Sequence, residues 1–543
     1  MTDQVPVLIV GGGPVGLGLA IDLGWRGIEC LLVEQGDGTI YHPRANTVNS
    51  RTMEFCRRWG IAKEVKESGA PPDFPPTIIY CTSLHGYELA RIERPTHGGY
   101  KPLPTTPERS QRCNQIWFDP ILRKRAGEFP TVKLRYRCKF ESFTRDGEGV
   151  IATLRDQESG KVEQIAARYM VDCSGGASGI GKTLGVKQEG RPVLSYHCNI
   201  FLRIKDLWEK HDKGKAAFYF LVDKDGDYGS IIEIDGRELW RLGVHGDEWK
   251  DDPSKELIAR TIKRALGGDD IPYEVISANK WTCRDLVADR FGAPPILLAG
   301  DCVHQHAPSG GFGMNTGMGD AADLGWKLAA CVEGWGGDAL LESYEPERRP
   351  VAQRNVGEAT DNVLRATNEH LIKFVEDETA QGADARKQIG DDIVKNRAKT
   401  FITDGIALGY IYDSAVIVPD GTPRPPLTVM DYKPTTFPGS RAPHAWIAEG
   451  KSTIDIFGRK FVVMRSGDAD PAPLVAAAKS RNVPIEVFDI SDPEIAKLYE
   501  RKLVLVRPDG HVAWRGDQAP SDPLSVIDTL RGAIKAGAAR RAA

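Results

Sequence analysis

The first 34 residues constrain this chain most. An apolar run, Val7 to Val10, breaks into Gly11-Gly12-Gly13-Pro14-Val15-Gly16, continues through a helical stretch, and returns as a second apolar run, Cys30 to Val33, closed by Glu34. Strand, glycine turn, helix, strand and acid in that order make a dinucleotide grip. Gly11 permits the tight turn, Gly13 lets the backbone approach a pyrophosphate, and Gly16 lets helix and strand pack closely. Pro14 opens the helix, whose N-terminus offers free N–H groups and positive dipole to phosphates. Glu34 is placed to accept hydrogen bonds from a ribose.

Composition narrows the class. A chain of 543 residues makes roughly two or three domains. A formal net charge of −4 gives no basic footprint for nucleic acid or an anionic membrane. The segment Val5 to Ile21 imitates a signal peptide, but no Lys or Arg precedes Arg26 and glycines and a proline break it. The chain therefore reads as a cytoplasmic protein, neither secreted nor membrane-spanning. Ten cysteines are scattered from Cys30 to Cys331 with no C-x-x-C pair, which argues against a disulfide framework or zinc ribbon. Cys302, His304 and His306 alternate as metal ligands can, but they sit inside a glycine-rich segment with a different explanation, so no metal is expected.

That segment is a second nucleotide-like signal. Pro295 to Ala299 reads as a buried strand ending in Gly300-Asp301. A glycine-rich stretch follows to Gly317, and then helical spacing from Gly319 to Val332. A carboxylate at a strand end can bind a polyol, and glycine-rich backbone lets N–H groups reach a flat heterocycle. A flavin has those parts.

The two motifs together resemble the single-component FAD-dependent aromatic hydroxylases, the group of phenol hydroxylase and p-hydroxybenzoate hydroxylase. The second is matched by Pro308, Gly310, Gly311, Gly313, Asn315, Gly317, Asp320, Ala321, Leu324, Trp326, Lys327 and Leu328. The resemblance covers roughly residues 5 to 360. It implies FAD as cofactor, held by Gly11, Gly13, Pro14, Gly16, Glu34, Arg44, Arg112, Gln115, Asp301, Pro308, Gly311, Gly313, Met314 and Asn315. It also implies NADPH or NADH as co-substrate. One family motif departs: where C-D-G-x-x-S-x-x-R is usual, this chain has Cys173-Ser174-Gly175-Gly176-Ala177-Ser178-Gly179-Ile180-Gly181. Ser174 replaces the acid and Gly181 the arginine, leaving Asp172 as the carboxylate available for the vacant role.

The expected fold is α/β. A Rossmann-like FAD-binding domain of the GR2 type comprises residues 1–75, 105–190 and 286–370, and an inserted antiparallel substrate domain comprises 76–104 and 191–285. A helical linker region spans 371–439, and a thioredoxin-like domain without C-x-x-C spans 440–543. The last, lacking cysteine, serves packing or dimerisation, and a homodimer is expected. Alternating segments Asn199 to Ile204, Ala217 to Val222, Ser230 to Ile234 and Leu239 to Val244 supply the substrate sheet. Asn46, Asn49, Tyr219, Phe220, Arg241 and His245 are the substrate-facing candidates. Pro308, His245 and Tyr219 are the catalytic ones.

The implied activity is monooxygenation of a phenolic or related aromatic substrate with NAD(P)H and O2 through a flavin C4a-hydroperoxide. Another flavin redox enzyme, or a binding scaffold of the GDP-dissociation-inhibitor type, are the alternatives.

Overall fold

Apolar runs without alternation suit strands covered on both faces, as in a parallel sheet. The computed structural model, which describes residues 3–94, 96, 103–365 and 369–533, builds such a sheet. The expected segments 76–104 and 440–543 thus lie partly outside the described residues. The sheet runs Gly292–Ala293, Ile296–Leu298, Val162–Asp172, Asp3–Val10, Cys30–Val33, Val132–Arg135. From Ile296–Leu298 onward these strands are parallel. Val10 stands opposite both Val33 and Asp172, and Asp172 opposite Leu298. Four strands therefore end on one line, and Gly11, Glu34, Cys173 and Ala299 leave the sheet at its carboxyl edge, where ligands bind in open α/β sheets.

Helix Pro14–Arg26 starts from the glycine turn. A Cβ on Gly16 would stand 2.0 Å from the Gly11 carbonyl oxygen, and one on Gly11, whose φ is 110°, would stand 2.4 Å from that of Cys173. Only glycine fits at either position. The helix expected from Gly319 begins instead at Phe312 and runs to Val332. Gly317, which reads as loop, is a point of close approach, since a Cβ there would meet Val15 at 2.5 Å; within the expected helix, one on Gly325 would meet Asp22 at 2.2 Å. The two helices press together there, and both N-termini face the same sheet edge.

A second sheet is ordered His304–Gln305, Glu274–Ala288, Gln188–Arg203, Leu239–His245, Gly226–Glu233, Phe218–Asp223, Ile78–Cys81, Glu88–Ile92. It is antiparallel except where Phe218–Asp223 pairs with Ile78–Cys81. Helix Lys255–Leu266 covers one face through a core that includes Cys198, Ile200, Leu202, Tyr219, Trp240, Leu242 and Val244. Helices Glu369–Ile372 and Ala380–Asn396 cover part of the other face.

The C-terminal unit is a four-stranded sheet, Ile485–Ile490, Phe461–Ser466, Leu503–Val506, Val512–Gly516, with helices Ala472–Ser480, Pro493–Leu498 and Pro523–Leu530. It docks on the rest of the chain through buried charge. Arg507, wholly buried, reaches Glu347 at 2.6 Å, Asp323 at 3.3 Å and Asp509 at 2.5 Å. Lys327 lies 2.8 Å from both Asp323 and Glu347. Arg441 pairs with Glu54, which Arg51 also holds at 2.8 Å. No helix among the described residues is long and apolar enough to cross a membrane.

Candidate functional site

One cleft of about 1660 Å³ runs from the glycine turn to the second sheet. Gly13 has open space where a Cβ would lie. Glu34 is fixed at its strand end, one carboxylate oxygen accepting from Gly12 N–H at 2.8 Å and the other from Gly36 N–H at 2.6 Å. Asp301 stands exposed in the cleft and makes no hydrogen bond with the described residues. Gly311 (φ 66°) caps helix Phe312–Val332 without a side-chain hydrogen bond, which leaves first-turn N–H groups for a ligand. Gly11, Pro14, Arg44, Gln115, Pro308, Gly313 and Met314 line the same cleft. An open glycine edge, two strand-end carboxylates and an uncapped helix start match the phosphates, sugar hydroxyls and flat ring of a flavin dinucleotide. The residues present fit FAD.

Other expected cofactor residues act from behind the wall. Gly16 lies beneath the turn. Asn315 ties two loops, accepting from Asn49 N–H at 2.9 Å and donating to the Thr47 and Gly311 carbonyls at 2.9 and 2.7 Å. Asn49 caps helix Ser50–Arg58 and does not line the cleft. Arg112 is turned away: its guanidinium pairs with Glu233 at 2.8 Å and stacks on Phe218, 4.5 Å from the ring centre. Asp172 does not take over from the missing acid. It is wholly buried and accepts from Ser174 N–H at 3.0 Å and from the Ser178 hydroxyl, so it shapes the loop while Ser174 is exposed to the cleft.

The second sheet forms the far wall, and period-two alternation decides which of its side chains can reach the cleft. Tyr219 shares the face of Cys198, Ile200 and Trp240; it is wholly buried and its hydroxyl donates to the Gly214 carbonyl. It is not a cleft residue. Tyr219→Phe should leave turnover unchanged and cost about 0.5–1.5 kcal/mol of stability, measured as kcat beside the thermal midpoint. Phe220 faces the other way but is covered, stacked on Tyr80 at 4.9 Å and packed against Phe401. His245 packs on His197, which stacks on Trp281 at 4.3 Å. Of the substrate-facing candidates, Asn46 and Arg241 line the cleft.

The cleft brings in His42 and Trp281, not expected from sequence, beside Arg241 and His306. His42, 9% exposed, holds Ser277 Oγ at 2.8 Å through Nδ1, and its Nε2 has no partner. Burial, reinforced by the Arg241 and Arg44 guanidiniums, pushes its pKa down to about 4, so the ring is neutral near pH 7. Trp281 Nε1, Arg241 Nε and His306 Nδ1 are likewise buried without partners. His42 directly precedes Pro43-Arg44, and Trp281 alternates with Ser277 and Asn279 on one strand. Those were the available signals. The alternating trio near residue 300 has other partners: His304 Nε2 meets Asp320 at 2.7 Å, Cys302 Sγ accepts from Gly175 N–H, and His306 faces Thr316 at 3.5 Å.

Comparison with known proteins follows the same division. A family model described as FAD binding domain matches residues 4–359, and one described as aromatic-ring hydroxylase, C-terminal, matches residues 435–536. Tetracenomycin A2 monooxygenase-dioxygenase of Streptomyces glaucescens is 31% identical over 98% of this chain and 97% of its own length. The 4-methyl-5-nitrocatechol 5-monooxygenase of a Burkholderia species is 31% identical over 98% of both. Among solved structures, RebC with bound 7-carboxy-K252c is 38% identical, with a TM-score of 0.90 over 98% of this chain and all of that one.

Proposed function

Because this chain belongs to the FAD-dependent aromatic-ring monooxygenases, we propose that its cleft hydroxylates a fused, multi-ring phenolic substrate, with FAD and substrate held side by side. The observation that carries the substrate size is the cleft itself. Sites for one small ligand measure about 300–1,000 Å³, and this one, about 1660 Å³, continues past the flavin-fitting edge to the sheet. The relative named for tetracenomycin A2, and RebC, which holds 7-carboxy-K252c, support this reading, while the relative named for 4-methyl-5-nitrocatechol supports a smaller substrate.

FAD, when bound, supplies hydride acceptance from NAD(P)H and activation of dioxygen. The chain supplies the rest. Glu34 and Asp301 would hold sugar and ribityl hydroxyls, and the helix starts at Pro14 and Phe312 would face phosphate and ring. Pro308 and Gly313 would shape the wall beside the reacting ring. Arg241 Nε, Trp281 Nε1 and neutral His42 are the unpartnered polar groups that would orient the substrate's oxygen, since leaving them unmatched in a closed site is costly. A homodimer and a cytoplasmic location are part of this proposal.

The test is a panel of one-ring and multi-ring phenols, scored by stimulated NAD(P)H oxidation and by gain of one oxygen in the product. Coupled hydroxylation of multi-ring compounds alone is the expected result. Turnover confined to one-ring phenols overturns the size assignment, and peroxide as sole product with every compound overturns hydroxylation.

A further inference from the structure

Behind the flavin-fitting edge lies a buried chain of contacts that ends in the C-terminal unit. Asp320, wholly buried, is approached from three sides: Gly300 N–H donates to it at 3.0 Å, His304 Nε2 lies at 2.7 Å, and Arg348 Nε donates at 2.8 Å. Gly300 (φ 66°) is the turn that presents Asp301 to the cleft. Arg348 also donates from Nη2 to the Thr316 carbonyl at 2.8 Å, in the first turns of helix Phe312–Val332. Gly319 makes room for it, since a Cβ there would stand 2.6 Å from Nη2. Asp320 and Thr316 both belong to helix Phe312–Val332, so the guanidinium steadies the carboxylate through which that helix holds the Gly300 turn. Its remaining nitrogen, Nη1, reaches the Tyr412 hydroxyl at 3.2 Å. The Tyr412 ring stacks on His511 at 4.2 Å, and His511 belongs to the turn whose Arg507 and Asp509 dock the C-terminal sheet.

We propose that Arg348 is a positioning residue for the flavin site, and that Tyr412 and His511 extend its hold so that the C-terminal unit sets how firmly FAD is retained. The inference rests on FAD being the cofactor and is independent of the substrate reading. Arg348 does not line the cleft. It acts through Asp320, fixing the carboxylate that ties the Gly300–Asp301 turn to helix Phe312–Val332. Two binding elements held at one spacing lose less freedom when they close on a ligand, so slackening either loosens both.

Tyr412→Phe removes the single hydroxyl that meets Arg348 and keeps the ring on His511. FAD should leave this variant's holoenzyme about five- to tenfold faster, on the scale of one buried hydrogen bond, with a changed visible circular dichroism of the bound flavin. Tyr410→Phe, next to it in space with ring centres 5.4 Å apart, should match the parent protein in both readings. Arg348→Lys keeps a cation beside Asp320 but loses the fork to Thr316 and Tyr412. It should reproduce the faster release, and it provides the same readings if Tyr412→Phe fails to accumulate. Unchanged release and unchanged flavin dichroism in Tyr412→Phe, or in Arg348→Lys where that variant stands in, overturn the proposal. So does an equal change in Tyr410→Phe, which would report general loosening of the interface.

Discussion

Replacing Arg507 with alanine should destabilise the protein by about 3–5 kcal/mol and release the C-terminal unit, because it strips a buried cation from three carboxylates. Lys327 would then be left as the cation beside Glu347 and Asp323, and Asp509 would lose its guanidinium and keep the His511 N–H; Glu347, Asp323 and Lys327 are each wholly buried. Burial makes the sign certain where a surface pair would give almost nothing. The measurement is the thermal midpoint together with the rate of proteolysis in the connection 409–445. A double variant, Arg507→Met with Glu347→Gln, removes one charge of each sign and should recover part of the loss. An unchanged midpoint in Arg507→Ala, or a double variant worse than the single, would show that the charges are not coupled as drawn.

The same interface has an acid limit. Glu54 lies between Arg441 and Arg51; burial alone would raise its pKa, but the two guanidiniums and their hydrogen bonds hold it down to about 2, against an ordinary value of 4.5. A depressed carboxyl contributes stability above its unfolded pKa and loses it as pH falls through the folded one. The contribution is therefore complete above about pH 4.5 and disappears toward about pH 2. Tryptophan fluorescence should show an acid transition in that window, and Glu54→Gln should flatten it.

Sequence was most legible where backbone chemistry leaves few choices. Gly11, Gly16 and Gly300 each occupy a place that a Cβ or a negative φ would spoil, and such demands are written in one residue type at fixed spacing. The start of the second helix is hidden for the same reason in reverse: Gly317 and Gly319 look like breaks until Val15 and Arg348, the side chains that need their smallness, are present. Tyr219 failed as a catalytic candidate by one step of strand register, which sends it to the face covered by Lys255–Leu266. His42 offers only its place before Pro43-Arg44 as a signal, because its partner, Ser277, is 235 residues away. Arg507 and Arg441 looked like ordinary charged residues of a C-terminal unit, and only the docking of two separately coded sheets buries them.

Asp301 separates binding from folding more cleanly than any other residue of the cleft. Its side chain is exposed and bonds to nothing in the described structure, so Asp301→Ala removes no contact on which the apoprotein depends. A charge-assisted hydrogen bond to a bound polyol, by contrast, accounts for about 1.5–3 kcal/mol, or roughly a 10- to 150-fold weaker Kd for FAD. Ligand stabilisation falls by the same amount, about 1.5–3 kcal/mol, when FAD is in excess. The apoprotein midpoint should then equal the parent's, while the midpoint with saturating parent-level FAD drops and the purified protein is pale. Asp301→Asn, which keeps an acceptor but not the charge, should lie between. If Asp301→Ala binds FAD at parent strength, the carboxylate does not hold the cofactor. If its apoprotein melts early by as much as the holoprotein, the residue supports the turn rather than the ligand, and the grip must come from Glu34 and the two helix starts.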